Sequence, residues 1–117
     1  MKWAVVGSRD FKKLEAVKEF IEVIVKDGRC TEILTGDARG VDAEAARVAY
    51  LLKVPVHIYC ADWAKHGKAA GVIRNSEIVK DCDRVIAFWD GKSRGTADTV
   101  KKARAAHKIV DLLTDRS

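Results

Sequence analysis

Three short apolar runs, each followed at once by a glycine-bearing loop, constrain this chain more than any other feature: Trp3-Ala4-Val5-Val6 before Gly7, Glu32-Ile33-Leu34-Thr35 before Gly36, and Arg84-Val85-Ile86-Ala87-Phe88-Trp89 before Asp90-Gly91. The first and last are nearly unbroken rather than alternating, the pattern of strands covered on both faces, as in the interior of a parallel sheet. Between the runs the spacing changes. Leu14, Val17, Ile21 and Ile24, widened by Phe20 and Val25, recur at helical intervals and stop near Gly28, and Val41, Ala45, Val48, Ala49 and Leu52 do the same after the second run.

The alternation continues. Pro55 opens a third strand through Val56, Ile58 and Cys60, Asp62 to Gly71 reads as an irregular stretch, and Ile73 to Lys80 reads as a short helix. Thr96 to His107 is expected to be a helix with Ala97, Val100, Ala103 and His107 facing inward, and Ile109 to Leu113 a closing strand. Strand and helix in turn imply parallel strands joined by right-handed crossovers. The expected class is α/β: a Rossmann-like, doubly wound parallel sheet of about five strands. Because the first and fourth strands are the most apolar, the order 3-2-1-4-5 fits best and places a topological switch point between them.

The 117 residues form one expected domain, 1–117, long enough to bury a core without staples. Cys30, Cys60 and Cys82 are an odd number without a CxxC pair, so neither a disulfide framework nor a zinc site is suggested, and all three read as buried thiols. No signal peptide is visible and no apolar stretch approaches the roughly 20 residues of a membrane span, so a cytoplasmic protein with no membrane partner is expected. The net charge of +5 favours an anionic partner. The lysines are spread over several helices without interleaved aromatics, which makes nucleic acid the less favoured anion.

Three loops fall on the same predicted edge of the sheet. Gly7-Ser8-Arg9-Asp10-Phe11, Gly36-Asp37-Ala38-Arg39-Gly40-Val41-Asp42 and Asp90-Gly91-Lys92-Ser93-Arg94-Gly95-Thr96 each lead from a strand into a helix. At such a junction free backbone N–H groups and the helix dipole favour an anion. Each loop taken alone suits a tight turn with a capping side chain equally well. Their repetition is what points to a phosphate cradle, on which Arg9, Arg39 and Arg94 are expected to converge. Gly91-Lys92-Ser93 resembles the end of a Walker A loop, but Ile86 stands where its first glycine belongs, and no GxGxxG occurs.

The stretch Gly67-Lys68-Ala69-Ala70-Gly71-Val72-Ile73-Arg74-Asn75 suits a flap, with Lys68 and Arg74 reaching phosphate and Asn75 bonding ribose or base. Trp63, taken singly, reads as a buried anchor for that loop, with base stacking as the alternative. Trp89, at the carboxyl end of the fourth strand, is better placed to stack, while a core role for its ring stays open. No Ser/His/Asp arrangement or metal-ligand cluster is visible, and a divalent ion accompanying the phosphate is left open.

Taken together, GSRDF, GDARGVD, GKAAGVIRN and FWDGKSRGT resemble the YspA/YpsA-related branch of the SLOG superfamily, which is related to the LOG phosphoribohydrolases and to the DNA-processing protein DprA. The resemblance runs over nearly the whole chain. It implies a Rossmann-like fold, a nucleotide-type ligand, phosphate held around Gly91 to Thr96 and the Gly7-Ser8-Arg9 loop, and self-association into a homo-oligomer. LOG-type enzymes carry a catalytic glutamate at the end of a GTxxE frame; here that frame reads Gly95-Thr96-Ala97-Asp98-Thr99, with Thr99 in the glutamate position. Asp98 is the nearest carboxylate, Asp42 and Asp90 are others, and Arg74 resembles the arginine such enzymes place near the ribose.

Three functions follow in order. The first is a nucleotide-binding module, a sensor or carrier of a nucleotide-derived ligand, held by Gly7, Ser8, Arg9, Gly36, Arg39, Gly40, Lys92, Ser93, Arg94, Gly95 and Thr96, with Asp42, Lys68, Arg74, Asn75, Trp89, Asp90 and Gly91 contributing. The second is a nucleotide-processing hydrolase of N-glycosidic or phosphoribohydrolase type, with Asp98 and Arg74 as its catalytic pair. The third is DprA-like binding of nucleic acid.

Overall fold

A strand with apolar side chains on both faces is sheltered only when helices cover both sides of its sheet, and that requirement shapes the whole chain. The computed structural model describes residues 1–115. Its elements in order are β1 (Lys2–Gly7), α1 (Leu14–Lys26), β2 (Glu32–Gly36), α2 (Val41–Leu51), β3 (Val56–Tyr59), α3 (Trp63–His66), a 3-10 turn (Gly67–Ala69), α4 (Ala70–Asp81), β4 (Arg84–Trp89), α5 (Arg94–Ala105) and β5 (Ile109–Thr114). The five strands are all parallel and lie in the order β3-β2-β1-β4-β5, the doubly wound arrangement expected of a Rossmann-like domain.

Alternate residues of the central strands feed two separate cores. Trp3, Val5, Ile33, Ile86 and Phe88 pack with Val17, Ile21 and Ile24 of α1 and Val41, Ala45 and Val48 of α2. Ala4, Val6, Leu34, Val85 and Ala87 pack on the other face with Ile78 and Val79 of α4 and Val100 and Ala103 of α5. Phe88 is fully buried, with Phe11 and Phe20 edge-on to it at centroid distances of 5.6 and 6.2 Å.

The outer strands are less covered. Ile58 on β3 and Ile109, Leu112 and Leu113 on β5 are exposed, because each strand lies at a sheet edge. Lys108, just before β5, donates from Nζ to the carbonyls of Val79, Lys80 and Cys82, at the end of α4 where unpaired carbonyls and the negative end of the helix dipole favour a cation.

Several local expectations are corrected. The stretch from Asp62 to Gly71 is not irregular: Asp62 caps α3 by accepting from the Lys65 amide at 3.1 Å, and α4 begins at Ala70, three residues before the predicted start. Trp63 is 54% exposed and so is no buried anchor. His107 lies beyond the end of α5, at φ 61° and exposed, and Ala97 also faces outward. Cys60 is exposed where the edge strand β3 runs out, whereas Cys30 and Cys82 are buried as expected.

Because Phe88 joins β4 to two other aromatic rings in a closed core, Phe88→Ala is expected to cost about 3–5 kcal/mol in urea unfolding. Ile58→Ala, at the exposed edge, should change stability by less than about 1 kcal/mol in the same measurement.

Candidate functional site

The sheet order puts the loops leaving β1 and β4 side by side, and Ser8 locks them together. Its side chain is buried; its amide donates to the Phe88 carbonyl at 2.9 Å, its Oγ accepts from the Asp90 amide at 3.1 Å and lies 3.3 Å from Thr96 Oγ1. The Ser8 carbonyl in turn accepts from the Val41 amide at 3.4 Å, which draws in the start of α2. Gly40, in the left-handed region at φ 78°, leaves no room for a side chain: a Cβ there would stand 2.7 Å from Arg9 Cα. Three loops are thereby fixed at one edge.

Between them lies a cleft of about 440 Å³. Its walls come from Gly7, Arg9 and Asp10 after β1, Gly36 and Ala38 after β2, Asp42 on α2, Arg74, Asn75 and Ile78 on α4, Asp90, Lys92 and Ser93 after β4, and Gly95, Thr96 and Thr99 on α5. Asp90 shapes the last loop: its Oδ1 accepts from the amides of Lys92 and Ser93, both at 2.8 Å. Those donors, the Lys92 amide foremost, together with the Ser8 hydroxyl hold the Asp90 carboxyl below its ordinary range. Ser93 caps α5 by accepting from the Thr96 amide at 3.3 Å, and its carbonyl accepts from Trp89 Nε1 at 2.9 Å. The amides of Arg94 and Gly95, in the first turn, have no carbonyl within the helix to bond.

The α4 side is built around Arg74. Its Nη1 donates to Asp37 Oδ1 at 2.5 Å and its Nε to Asn75 Oδ1 at 3.2 Å. Asn75 Nδ2 reaches the Gly95 carbonyl at 3.3 Å and Asp98 Oδ2 at 3.2 Å, so α4 and the first turn of α5 are stitched together. Asp42, 6% exposed, accepts from the Ala38 amide at 3.3 Å. Burial pushes its carboxyl up to about 6, against the opposing pull of that amide and of the Arg74 guanidinium. Thr35 Oγ1 is fully buried with no hydrogen-bond partner among the described residues.

Of the residues singled out in the sequence, Gly7, Arg9, Gly36, Asp42, Arg74, Asn75, Asp90, Lys92, Ser93, Gly95 and Thr96 line this cleft. Ser8 and Gly40 stand behind it as clamps, Trp89 holds Ser93, and Gly91 makes the turn at φ 83°. The expected convergence of Arg9, Arg39 and Arg94 is not what forms. Arg39 and Arg94 are exposed outside the cleft, as is Lys68, and the cations that accompany Arg9 are Arg74 and Lys92. Gly95, Thr96 and Thr99 are the α5 residues on the cleft wall, which leaves the first helical residue, Arg94, pointing elsewhere. Asp98 also lies outside the wall, its Oδ2 shared between Asn75 and Lys102 Nζ at 2.9 Å. Asp10, Ala38, Ile78 and the Arg74 partner Asp37 are not among the ligand residues expected from the sequence, and Thr99 is named there only as the residue in the glutamate position. The three-residue spacings Asn75 to Ile78 and Thr96 to Thr99, each one face of a helix, were the signal that could have found two of them.

Among the described residues no helix is long and apolar enough to cross a membrane, and no group of three or more His, Cys, Asp or Glu is placed to hold a metal ion. Fold and site together define an all-parallel α/β domain with a polar cleft at its switch point. No family model matches the chain. The Gene 61 protein of Mycobacterium phage D29 is similar to it, at 39% identity over 80 residues, covering 63% of this chain and 64% of the phage protein, so the chain spans less than two thirds of that relative.

The raised carboxyl of Asp42 gives a pH dependence of stability. The folded state holds a proton there at pH values where the unfolded chain, with an ordinary carboxyl of 3.8, has lost it. Stability from this group is therefore greatest in acid and falls as pH rises from about 4 through about 6, by at most about 3 kcal/mol. Asp42→Asn should raise the melting temperature at pH 8 relative to the parent and leave it nearly unchanged at pH 4. Equal shifts at both pH values would contradict the assignment.

Proposed function

We propose that the cleft binds a nucleotide or a nucleotide-derived ligand, with its phosphate against the first turn of α5, as a sensor or carrier of that ligand. The observation that carries this reading is the first turn itself. Two backbone amides there lack helical acceptors, Ser93 adds a hydroxyl, and Arg9 and Lys92 line the same cleft. The position supports it as well, since ligands of open α/β sheets lie outside the carboxyl ends of the strands at the switch point. The resemblance to the YspA/YpsA-related branch of the SLOG superfamily points to the same ligand class.

Gly95 offers a direct test. Gly95 lines the cleft and a Cβ at this position meets nothing within 4 Å, so a side chain fits there without disturbing the packing. An acidic residue in a first helical turn also suits the helix dipole. Gly95→Asp is thus expected to keep or raise the melting temperature while abolishing binding. Thermal shift against nucleoside mono- and diphosphates, NAD and ADP-ribose should give about 2.7 kcal/mol of stabilisation for a ligand at a hundred times its dissociation constant, absent in Gly95→Asp. A ligand that stabilises both proteins equally would place the phosphate elsewhere.

A second reading, a nucleotide-processing hydrolase, is favoured by one observation. Asp42 is a carboxyl group in the cleft wall that exchanges its proton near neutral pH, as a general acid or base needs to do. In this reading water adds to the ribose C1′, the bond from C1′ to the base breaks, and the base leaves with a proton. Asp42 takes the role that the sequence alone assigned to Asp98, which is engaged by Asn75 and Lys102. Release of free base from nucleoside 5′-monophosphates should be lost in Asp42→Asn, about a hundredfold or more for a general acid or base, and largely kept in Asp98→Asn. The reverse pattern would return the role to Asp98.

A further inference from the structure

We propose that Trp63 is the base-stacking platform of a nucleoside subsite at the rim of the cleft, placed so that the base of a nucleoside phosphate lies on the indole and its sugar beside Arg74. This rests on the nucleotide reading above and adds to it where the base sits.

Trp63 is 54% exposed, the most exposed of the three tryptophans, on a segment with no core of its own. Solvating so large an aromatic surface is costly unless something covers it. Its surroundings are fixed. The position of a Cβ on Gly71 would lie 3.6 Å from Trp63 Cη2 and 3.8 Å from Arg74 Nη2, so the indole and the guanidinium both border a residue without a side chain. Asp37 holds the two together from the other side: one oxygen pairs with Arg74 Nη1 and the other accepts from the Ala61 amide at 3.3 Å, two residues before Trp63. Asp62, next in the chain, caps the short helix that carries the ring.

Trp89 does not compete for the role. It is half-buried, and its Nε1 is spent on the Ser93 carbonyl.

A line of neighbours runs from the phosphate end to the indole. Gly95 touches Asn75, Asn75 touches Arg74, and Arg74 stands across Gly71 from Trp63. With phosphate at the α5 turn, the far end of this line falls where a planar base would lie. An indole platform is indifferent to base identity, since every base offers a π-face, so the subsite suits nucleoside phosphates as a class.

The test measures binding of AMP, GMP and ribose 5-phosphate to the parent chain, Trp63→Ala and Trp63→Phe by calorimetry. The parent should bind AMP and GMP about tenfold or more tightly than ribose 5-phosphate. Trp63→Ala should lose that advantage with ribose 5-phosphate affinity unchanged, and Trp63→Phe should recover most of it. Equal binding of AMP and ribose 5-phosphate by the parent would overturn the stacking subsite and leave the phosphate reading standing. Equal loss of both ligands in Trp63→Ala would overturn it too, as the ring would then only shape the cleft. If the parent binds neither, the nucleotide reading fails and the subsite with it.

Discussion

The Ser8 hydroxyl is the point on which the carboxyl edge of this protein depends. Parallel pairing of β1 with β4 brings two loops together, but nothing in the pairing itself fixes how they leave the sheet. A buried hydroxyl supplies that, as one small group that accepts from one loop, meets the first turn of α5 and sits on the chain whose carbonyl receives the start of α2. Such a group is costly to leave unpaired in a closed site, so the arrangement tolerates few alternatives. The first turn of α5 is thereby held in place by hydrogen bonds within the chain itself.

Electrostatics in the cleft follow from the same economy of space. Asp90 and Asp42 are both carboxylates on the wall, yet their environments push them in opposite directions. Backbone amides surround Asp90 and favour its charge, whereas Asp42 has lost most of its water and resists charge. Asp90 thus serves as a fixed structural anion for its loop. Asp42 is the group in the wall whose charge changes near neutral pH, and Arg74, neutralised in part by Asp37, keeps that change modest.

Much of the architecture was legible because it rests on periodicity. The unbroken runs at Trp3 and Arg84 could be sheltered only in the middle of a parallel sheet, and that alone ordered the strands. The site was legible to the extent that it is made of backbone and glycine, as at Gly7, Gly36, Gly95 and Ser93. What escaped depends on side-chain direction. Arg39 and Arg94 carry the right chemistry in the right loops but point outward, whereas Arg74 and Asn75, expected at the ligand, do line the cleft from α4. The Trp63 ring was misplaced for a related reason: four residues of helix with a single cap leave too short a pattern for any hydrophobic period to register.

Helix α4 bears Arg74 and Asn75 near its start, while Lys108 grips the carbonyls at its end. Twelve residues of helix make a rod of about 18 Å. A lysine at the opposite edge of the sheet from the cleft is in this way a mechanical part of it, since the rod it steadies is the one that carries the guanidinium toward the α5 turn. Divergence among proteins built on this plan can therefore retune the cleft from its far end, without altering a single residue on its wall.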